Sequence, residues 1–197
     1  MSAATVPGYR LHDPALPRSP LTLSDLDQLK ISALFSADDV IALRKARGVI
    51  ADQIEAILDV WYGFVGNTPH LLSYFVDPRT AQPNGEYLAA VRKRFGQWIL
   101  DSCDANYDEA WLAYQDEIGR RHHRVGKNRT DGVSAAPHIP MRHVLALVIP
   151  ISVTMKSFLA KKGHGAADVE AMHAAWTKSV LLQAILWSRP YCRDGDF

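Results

Sequence analysis

The apolar residues of this chain recur three or four positions apart over most of its length, which is the spacing of one buried face of an α-helix. No segment shows the sustained alternation of apolar and polar residues that marks a half-buried strand. Residues 144–153 are rich in β-branched side chains, but their unbroken context favours a buried helix. A chain of 197 residues is enough for one domain and short for two. We therefore predict one all-α domain of seven or eight helices.

Serine, glycine and proline residues set the predicted helix boundaries. Ser24 and Ser36 are placed as N-caps, and Asp39 completes an acidic variant of the capping box with Ser36. We expect a break or bend near Gly48 and a kink at Pro150, where proline removes a backbone hydrogen bond. The predicted helices cover residues 24–34, 36–66, 69–75, 86–103, 106–123, 137–159 and 166–187, with a loop over residues 77–85.

The first twenty residues are aperiodic and contain several prolines, so we predict an extended arm at residues 1–20 and one domain at residues 21–197. No apolar run near the start resembles a secretion signal, and the apolar stretches are shorter than the roughly 20 residues that span a bilayer. The formal net charge of +1 gives no general reason to bind nucleic acid or an anionic membrane. Two cysteines are too few for a disulfide framework. We expect a cytoplasmic protein with neither nucleic acid nor membrane as a partner.

The most informative segment for chemistry is Arg121-His122-His123-Arg124 at the end of a predicted helix. His122 continues an apolar face at helical spacing, and the other members of that face are Trp111, Tyr114 and Ile118. His123 falls in a second row, with Asp116 and Gly119, which we expect to face water. His122 is therefore either a core histidine with one hydrogen bond or a metal ligand. The sequence contains no phosphate-binding glycine loop, HExxH, CxxC or GxSxG motif.

Aromatic residues are a second unusual feature, with five tryptophans and seven tyrosines in a small chain. Trp61 and Tyr62 are adjacent on a predicted helix, and both face inward if that helix is deeply buried. A buried Tyr62 hydroxyl needs a partner, which is either a backbone carbonyl or a bound ligand. A stripe of larger apolar side chains on the next long helix is either plain core or the wall of a cofactor site. This stripe consists of Leu88, Val91, Phe95 and Trp98.

Several long segments together resemble the protoglobins, single-domain globin-fold haem proteins related to the globin domains of globin-coupled sensors. They are PGY (7–9), DQIEAILDVWYGFVG (52–66), PHLLSYF (69–75), EYLAAVRKRFGQWILDSC (86–103), WLAYQDEIGRRHHR (111–124), MKSFLAKKGH (155–164) and the tail LWSRPY followed by GDF. The resemblance runs nearly end to end. It implies a three-on-three helical sandwich with an extra N-terminal helix, which residues 24–34 fit, and an N-terminal arm that helps to bury the haem.

The resemblance also assigns roles to individual residues. It implies that His122 is the proximal iron ligand and that Tyr62, beside Trp61, is the distal donor to bound O₂. Val91 and Phe95 fall on the distal wall. Further pocket positions fall on Val144, Leu147 and Ile151. The haem propionates need cations or water, for which Arg94 and Arg92 are candidates.

Two positions depart from the family pattern. Most members carry phenylalanine in place of Leu147, and an aromatic residue such as tyrosine is usual in place of His143. A leucine is smaller than a phenylalanine and leaves more room on the distal side of the pocket.

The function that follows from the resemblance is reversible binding of O₂, CO or NO to haem b, in a carrier, scavenger or sensor. An alternative is an enzyme on the same haem, for NO dioxygenation, nitrite reduction or peroxidase-like turnover with an external reductant. A third reading is a helical interaction protein in which the aromatic residues are only core. Related proteins commonly form homodimers through the last two long helices, which the apolar segments 144–153 and 180–187 permit.

Overall fold

Helices make up most of the chain in a computed structural model that describes residues 6–197. In chain order the helices are α1 (Leu23–Ser32), α2 (Ala37–Ile50), α3 (Ile54–Gly66), α4 (Pro69–Leu72), α5 (Gly85–Asp104), α6 (Glu109–His122), α7 (Met141–Ala146), α8 (Val148–Leu159) and α9 (Ala166–Ser188). Two short strands, β1 (Val76–Asp77) and β2 (Gln82–Pro83), pair antiparallel, and all their residues except Val76 lie in the segment predicted as a loop. The predicted all-α fold class is confirmed.

The capping residues of the first two helices illustrate how local sequence sets helix boundaries. The box of Ser36 and Asp39 is confirmed, since the Asp39 carboxylate accepts the backbone N–H of Ser36 (2.7 Å). The N-cap of α1, however, is Thr22 and not Ser24. Thr22 forms its own capping box with Asp25, whose carboxylate accepts the Thr22 N–H (2.8 Å). The same pattern of a hydroxyl residue followed by an acid three positions later occurs there, two residues upstream of the predicted cap.

Two predicted helices are each divided in the structure. The run over residues 36–66 is broken after Ile50, close to the predicted position near Gly48, and the Gln53 side chain satisfies a helix-end acceptor there by donating to the Val49 carbonyl (2.8 Å). The run over residues 137–159 breaks at Leu147, between α7 and α8. Pro150 explains this break, since it has no N–H to donate to the carbonyl four residues earlier.

The core is organised around α9, which packs against α2, α6, α7 and α8. Its most buried side chains include Met172, Trp176 and Leu182. Helix α3 packs against α5 and α8 on another side of the domain. Leu26 of α1 is fully buried in a second, smaller cluster with side chains of α6 and α9, so the extra N-terminal helix is part of the packed domain.

Residues 6–20 contain turns and no helix or strand, and residues 1–5 of the predicted arm lie outside the described part. The division between arm and domain at residue 20 stays a prediction.

The segment Met141–Lys162 is long and apolar enough to cross a membrane by length and composition alone. Its uninterrupted apolar runs are short, and only the whole segment reaches this length and composition. Core helices often have the same composition. This segment packs against α2, α3 and α9 through one side and leaves Leu145, Ile149 and Val153 exposed on the other.

Candidate functional site

A cavity of about 240 Å³ lies among α3, α5, α6, α7, α8 and α9 and the loop that follows α6. The structure brings all nine predicted site residues to its wall. They are Trp61, Tyr62, Val91, Arg94, Phe95, His122, Val144, Leu147 and Ile151. Arg92, the other candidate for a propionate, does not line the cavity. Its guanidinium instead pairs with Glu55 (2.7 Å) and Asp59 (2.8 Å) of α3.

His122 is the last residue of α6, and its ring is held in one orientation by a hydrogen bond. Nδ1 lies 2.8 Å from the Ile118 carbonyl oxygen, which can only accept, so Nδ1 carries the proton. Burial lowers the pKa of His122, which keeps the ring neutral near pH 7. Nε2 is therefore left with a free lone pair on a residue of the cavity wall. This is the tautomer that a metal-ligating histidine needs, with its other nitrogen engaged.

Trp187 of α9 lies behind His122. Its indole is nearly parallel to the imidazole, with an interplanar angle of 16° and centroids 5.6 Å apart. The indole N–H donates to Oε1 of Gln115 (2.8 Å), which fixes the ring. The imidazole therefore has a rigid aromatic neighbour as well as a backbone hydrogen bond.

The prediction that the row of His123, Asp116 and Gly119 faces water is wrong. Asp116 is only 7% exposed, and its carboxylate accepts Nε–H bonds from Arg120 (2.7 Å) and Arg189 (2.8 Å). A Cβ at Gly119 would lie 2.9 Å from the Trp187 carbonyl oxygen. This face of α6 is covered by α9 and the segment after it, so α6 is buried on two sides.

His123 has left the helix, since its backbone is extended (φ −90°, ψ 157°). Its ring packs against His138 and Tyr191, with centroids 5.4 Å and 4.9 Å away, and it is not part of the cavity wall. The two adjacent histidines therefore have different surroundings, and only His122 has access to the cavity.

Tyr62 of α3 lies at the cavity wall with its hydroxyl free of hydrogen bonds to residues 6–197. Burial raises the pKa of this hydroxyl well above its ordinary value, so it stays protonated. Of the two possible partners, a backbone carbonyl or a ligand, no carbonyl of residues 6–197 accepts from this hydroxyl. Trp61 packs beside it on Phe95, with centroids 5.5 Å apart.

One end of the cavity is polar and holds three cationic side chains. Arg94 makes a two-point ion pair with Asp131 (2.9 and 2.7 Å). Lys127 is only 7% exposed and donates to neutral oxygens, including the Tyr87 hydroxyl (2.9 Å). Burial lowers the pKa of Lys127 to about 8. Arg121 has a buried Nη2 with no partner in the described chain. This end has capacity for an anion.

The N-terminal arm covers the polar end. The Gly8 carbonyl accepts from Nη1 of Arg121 (2.7 Å), and the Pro7 carbonyl accepts from Arg94 (3.3 Å). Gly8 has a φ of +75°, and a Cβ there would lie 2.8 Å from Cγ2 of Thr130. Only glycine suits both the conformation and the close approach. Tyr9 then packs on Tyr114, with centroids 4.9 Å apart.

Sequence reasoning missed Lys127, Arg121 and Trp187. The polar residues 124–132 look like a solvated loop, and nothing local indicates that one lysine within it is buried. Trp187 could be placed on a helix but not against a particular histidine, because the two residues are 65 positions apart in the chain.

The residues present fit a haem. The walls are mainly aromatic and aliphatic, as a flat apolar macrocycle requires, and a neutral imidazole with a free nitrogen is available for its iron. The cations and the unpaired Arg121 nitrogen lie at one end, as its carboxylates require.

The comparisons with known proteins agree with this geometry. No curated protein matches the chain. The model of the Protoglobin family matches residues 22–197, which is most of the chain and includes all nine predicted site residues. The all-α, globin-like fold is the one expected of this family. The chain therefore belongs to the Protoglobin family of haem-binding globins.

Proposed function

We propose that this protein holds haem b through Nε2 of His122 and reversibly binds a diatomic gas (O₂, CO or NO), with Tyr62 as hydrogen-bond donor to that gas. The observation that carries the proposal is the hydrogen bond from Nδ1 of His122 to Ile118, which leaves Nε2 free at the cavity wall. When bound, the haem supplies an iron with an open coordination position. A carrier, a scavenger or a sensor would each use these properties.

The proposed role of Tyr62 is to donate a hydrogen bond to the bound gas while its hydroxyl stays protonated. Its raised pKa keeps the hydroxyl neutral, and no group of the described chain competes for it. O₂ draws negative charge when it binds a ferrous iron, and CO draws less. A nearby hydroxyl therefore favours O₂ over CO.

The propionates are proposed to lie at the polar end, near Arg94, Arg121 and Lys127. The unpaired Nη2 of Arg121 would gain a partner there, and a nearby carboxylate would raise the pKa of Lys127 and keep it charged. Because Arg94 and Arg121 also hold the carbonyls of Pro7 and Gly8, the arm would close over the same end.

We also propose a cytoplasmic homodimer. Both cysteines are free thiols, as is usual in a reducing compartment. Leu145, Ile149 and Val153 are exposed at intervals of four residues along α7 and α8, and Leu181 is exposed on α9. Such a stripe is typical of an interface.

We expect Ile149→Glu to shift the haem-loaded protein from dimers to monomers in sedimentation velocity. An unchanged sedimentation coefficient would contradict the proposed homodimer.

An absorption spectrum of the purified protein tests haem binding. We expect an intense Soret band in the ferric protein that shifts on reduction with dithionite and again with CO. Absence of the band after hemin is added would contradict the proposed function.

Replacing Tyr62 with phenylalanine is expected to accelerate O₂ dissociation roughly tenfold, the equivalent of about 1.4 kcal/mol for one hydrogen bond. CO dissociation should change much less. Stopped-flow ligand displacement measures both rates. Tyr107→Phe is the matched control, since Tyr107 is a half-buried tyrosine that does not line the cavity. Equal acceleration for O₂ and CO would mean that Tyr62 is not a donor to the ligand.

A further inference from the structure

Four of the five tryptophans converge on the haem cavity, an aromatic density that gas binding does not require. Trp61, Trp98 and Trp187 line the cavity wall, and Trp176 packs behind Trp98. The fifth, Trp111, belongs to a separate cluster with Leu26.

Three of these indoles, those of Trp187, Trp98 and Trp176, form a continuous series that begins at the proposed iron ligand. Trp187 lies against His122, with centroids 5.6 Å apart. Trp98 lies 5.6 Å from Trp187 and 5.7 Å from Trp176. The three indoles are 8%, 6% and 1% exposed, so they are shielded from water. No saturated side chain separates one ring from the next in this series.

The polar atoms around these indoles are neutral acceptors. The N–H of Trp187 donates to Gln115 (2.8 Å), and that of Trp98 donates to Gln183 (2.7 Å). Gln183 is in turn fixed by its amide, which donates to Ser102 (3.1 Å). An amide oxygen accepts a hydrogen bond but does not take the proton. An indole that lost an electron would therefore remain a protonated cation, its hydrogen bond would become charge-assisted, and the neighbouring ring faces would stabilise its charge.

We infer that Trp187 and Trp98 form a one-electron donor site for haem bound at His122, used when the protein meets hydrogen peroxide. This inference rests on the proposed haem binding. When hydrogen peroxide meets the ferric haem, its O–O bond would break and withdraw two electrons, one from the haem iron and one from the indole of Trp187. One oxygen would leave as water with both peroxide protons, and the other would stay with the oxidised iron. The positive charge left on the indole is shared with Trp98. The oxidised group is therefore an indole pair in the protein core and not the macrocycle.

The test uses the haem-loaded protein with tryptophan deuterated on its indole ring. One equivalent of hydrogen peroxide is added to the ferric form, the sample is frozen within milliseconds, and its electron paramagnetic resonance spectrum is recorded. We expect a protein radical whose hyperfine splitting narrows with the deuterated indole. A radical that does not respond to the label, or no protein radical at all, would overturn the inference. This comparison needs no substitution and so does not depend on how a variant folds.

Substitutions then locate the radical. We expect the tryptophan signal to be lost in Trp187→Phe and strongly reduced in Trp98→Phe, with faster bleaching of the Soret band by peroxide. Trp111→Phe, the matched control outside the series, should keep the wild-type signal. Peptide mass spectrometry should find oxygen added to Trp187 or Trp98 and none on Trp111. A tryptophan signal that persists in both Trp187→Phe and Trp98→Phe contradicts the assignment.

Failure of this inference differs from failure of the proposed function. The Soret band and the CO difference spectrum are recorded on the same preparation. Normal haem spectra without a tryptophan radical reject the donor site alone, whereas absence of haem spectra rejects haem binding and the donor site together.

Discussion

His122→Ala is expected to abolish stable haem binding, while His123→Ala leaves the haem bound. The alanine variant removes the imidazole nitrogen that is free at the cavity wall. It also exposes the face of Trp187 that the imidazole covers. His123 packs on His138 and Tyr191 outside the cavity, so its removal costs local packing only.

The measurement is the ratio of Soret to protein absorbance after hemin loading and gel filtration. It should fall to background for His122→Ala and stay near the wild-type value for His123→Ala. Hemin added together with imidazole, which enters the space left by the missing side chain, should restore the Soret absorbance of His122→Ala. Full haem retention in His122→Ala, or loss in His123→Ala alone, would show that the ligand is assigned to the wrong histidine.

Spacing could predict which of these two histidines lies at the cavity, because His122 extends an apolar row that ends there. The opposite row was misjudged for a physical reason. Periodicity reveals a buried face by its large apolar residues, but the second buried face of α6 is made by a glycine and by Asp116. Asp116 is buried only because Arg120 and Arg189 neutralise it. Arg189 lies 73 positions away, beyond the reach of any local pattern.

The helices themselves were largely predictable, because caps and prolines are local signals. The error in the first helix lies where two similar signals compete, as at Thr22 and Ser24. The break near Gly48 is displaced by only two residues, to the position where the Gln53 side chain satisfies the end of α2. The polar end of the cavity could not be predicted. It depends on contacts such as that between Arg121 and the Gly8 carbonyl, which joins residues 113 positions apart.

Gly119→Ala is the second substitution with a large expected effect, on stability and on haem retention together. A Cβ at this position would lie 2.9 Å from the carbonyl oxygen and 3.0 Å from the Cα of Trp187. Both atoms belong to the backbone of α9 and cannot rotate away, so α6 and α9 must separate. Overpacking of this kind costs about 1–3 kcal/mol, offset by up to about 1 kcal/mol from the better helix propensity of alanine.

Gly48→Ala is the matched control, because it places the same Cβ in α2 with no atom within 4 Å. At Gly48 only the better helix propensity of alanine acts, without any steric cost. The free energy of unfolding should therefore rise by about 0.5–1 kcal/mol. Thermal unfolding of the haem-loaded proteins compares the two, at about 2–4 °C per kcal/mol for a chain of this size. Transfer of haem to apomyoglobin should be faster from Gly119→Ala only, since separation of the helices moves Trp187 away from His122. Equal and positive shifts in both variants would mean that α6 has room for a methyl group, and that close contact between α6 and α9 does not position the iron ligand.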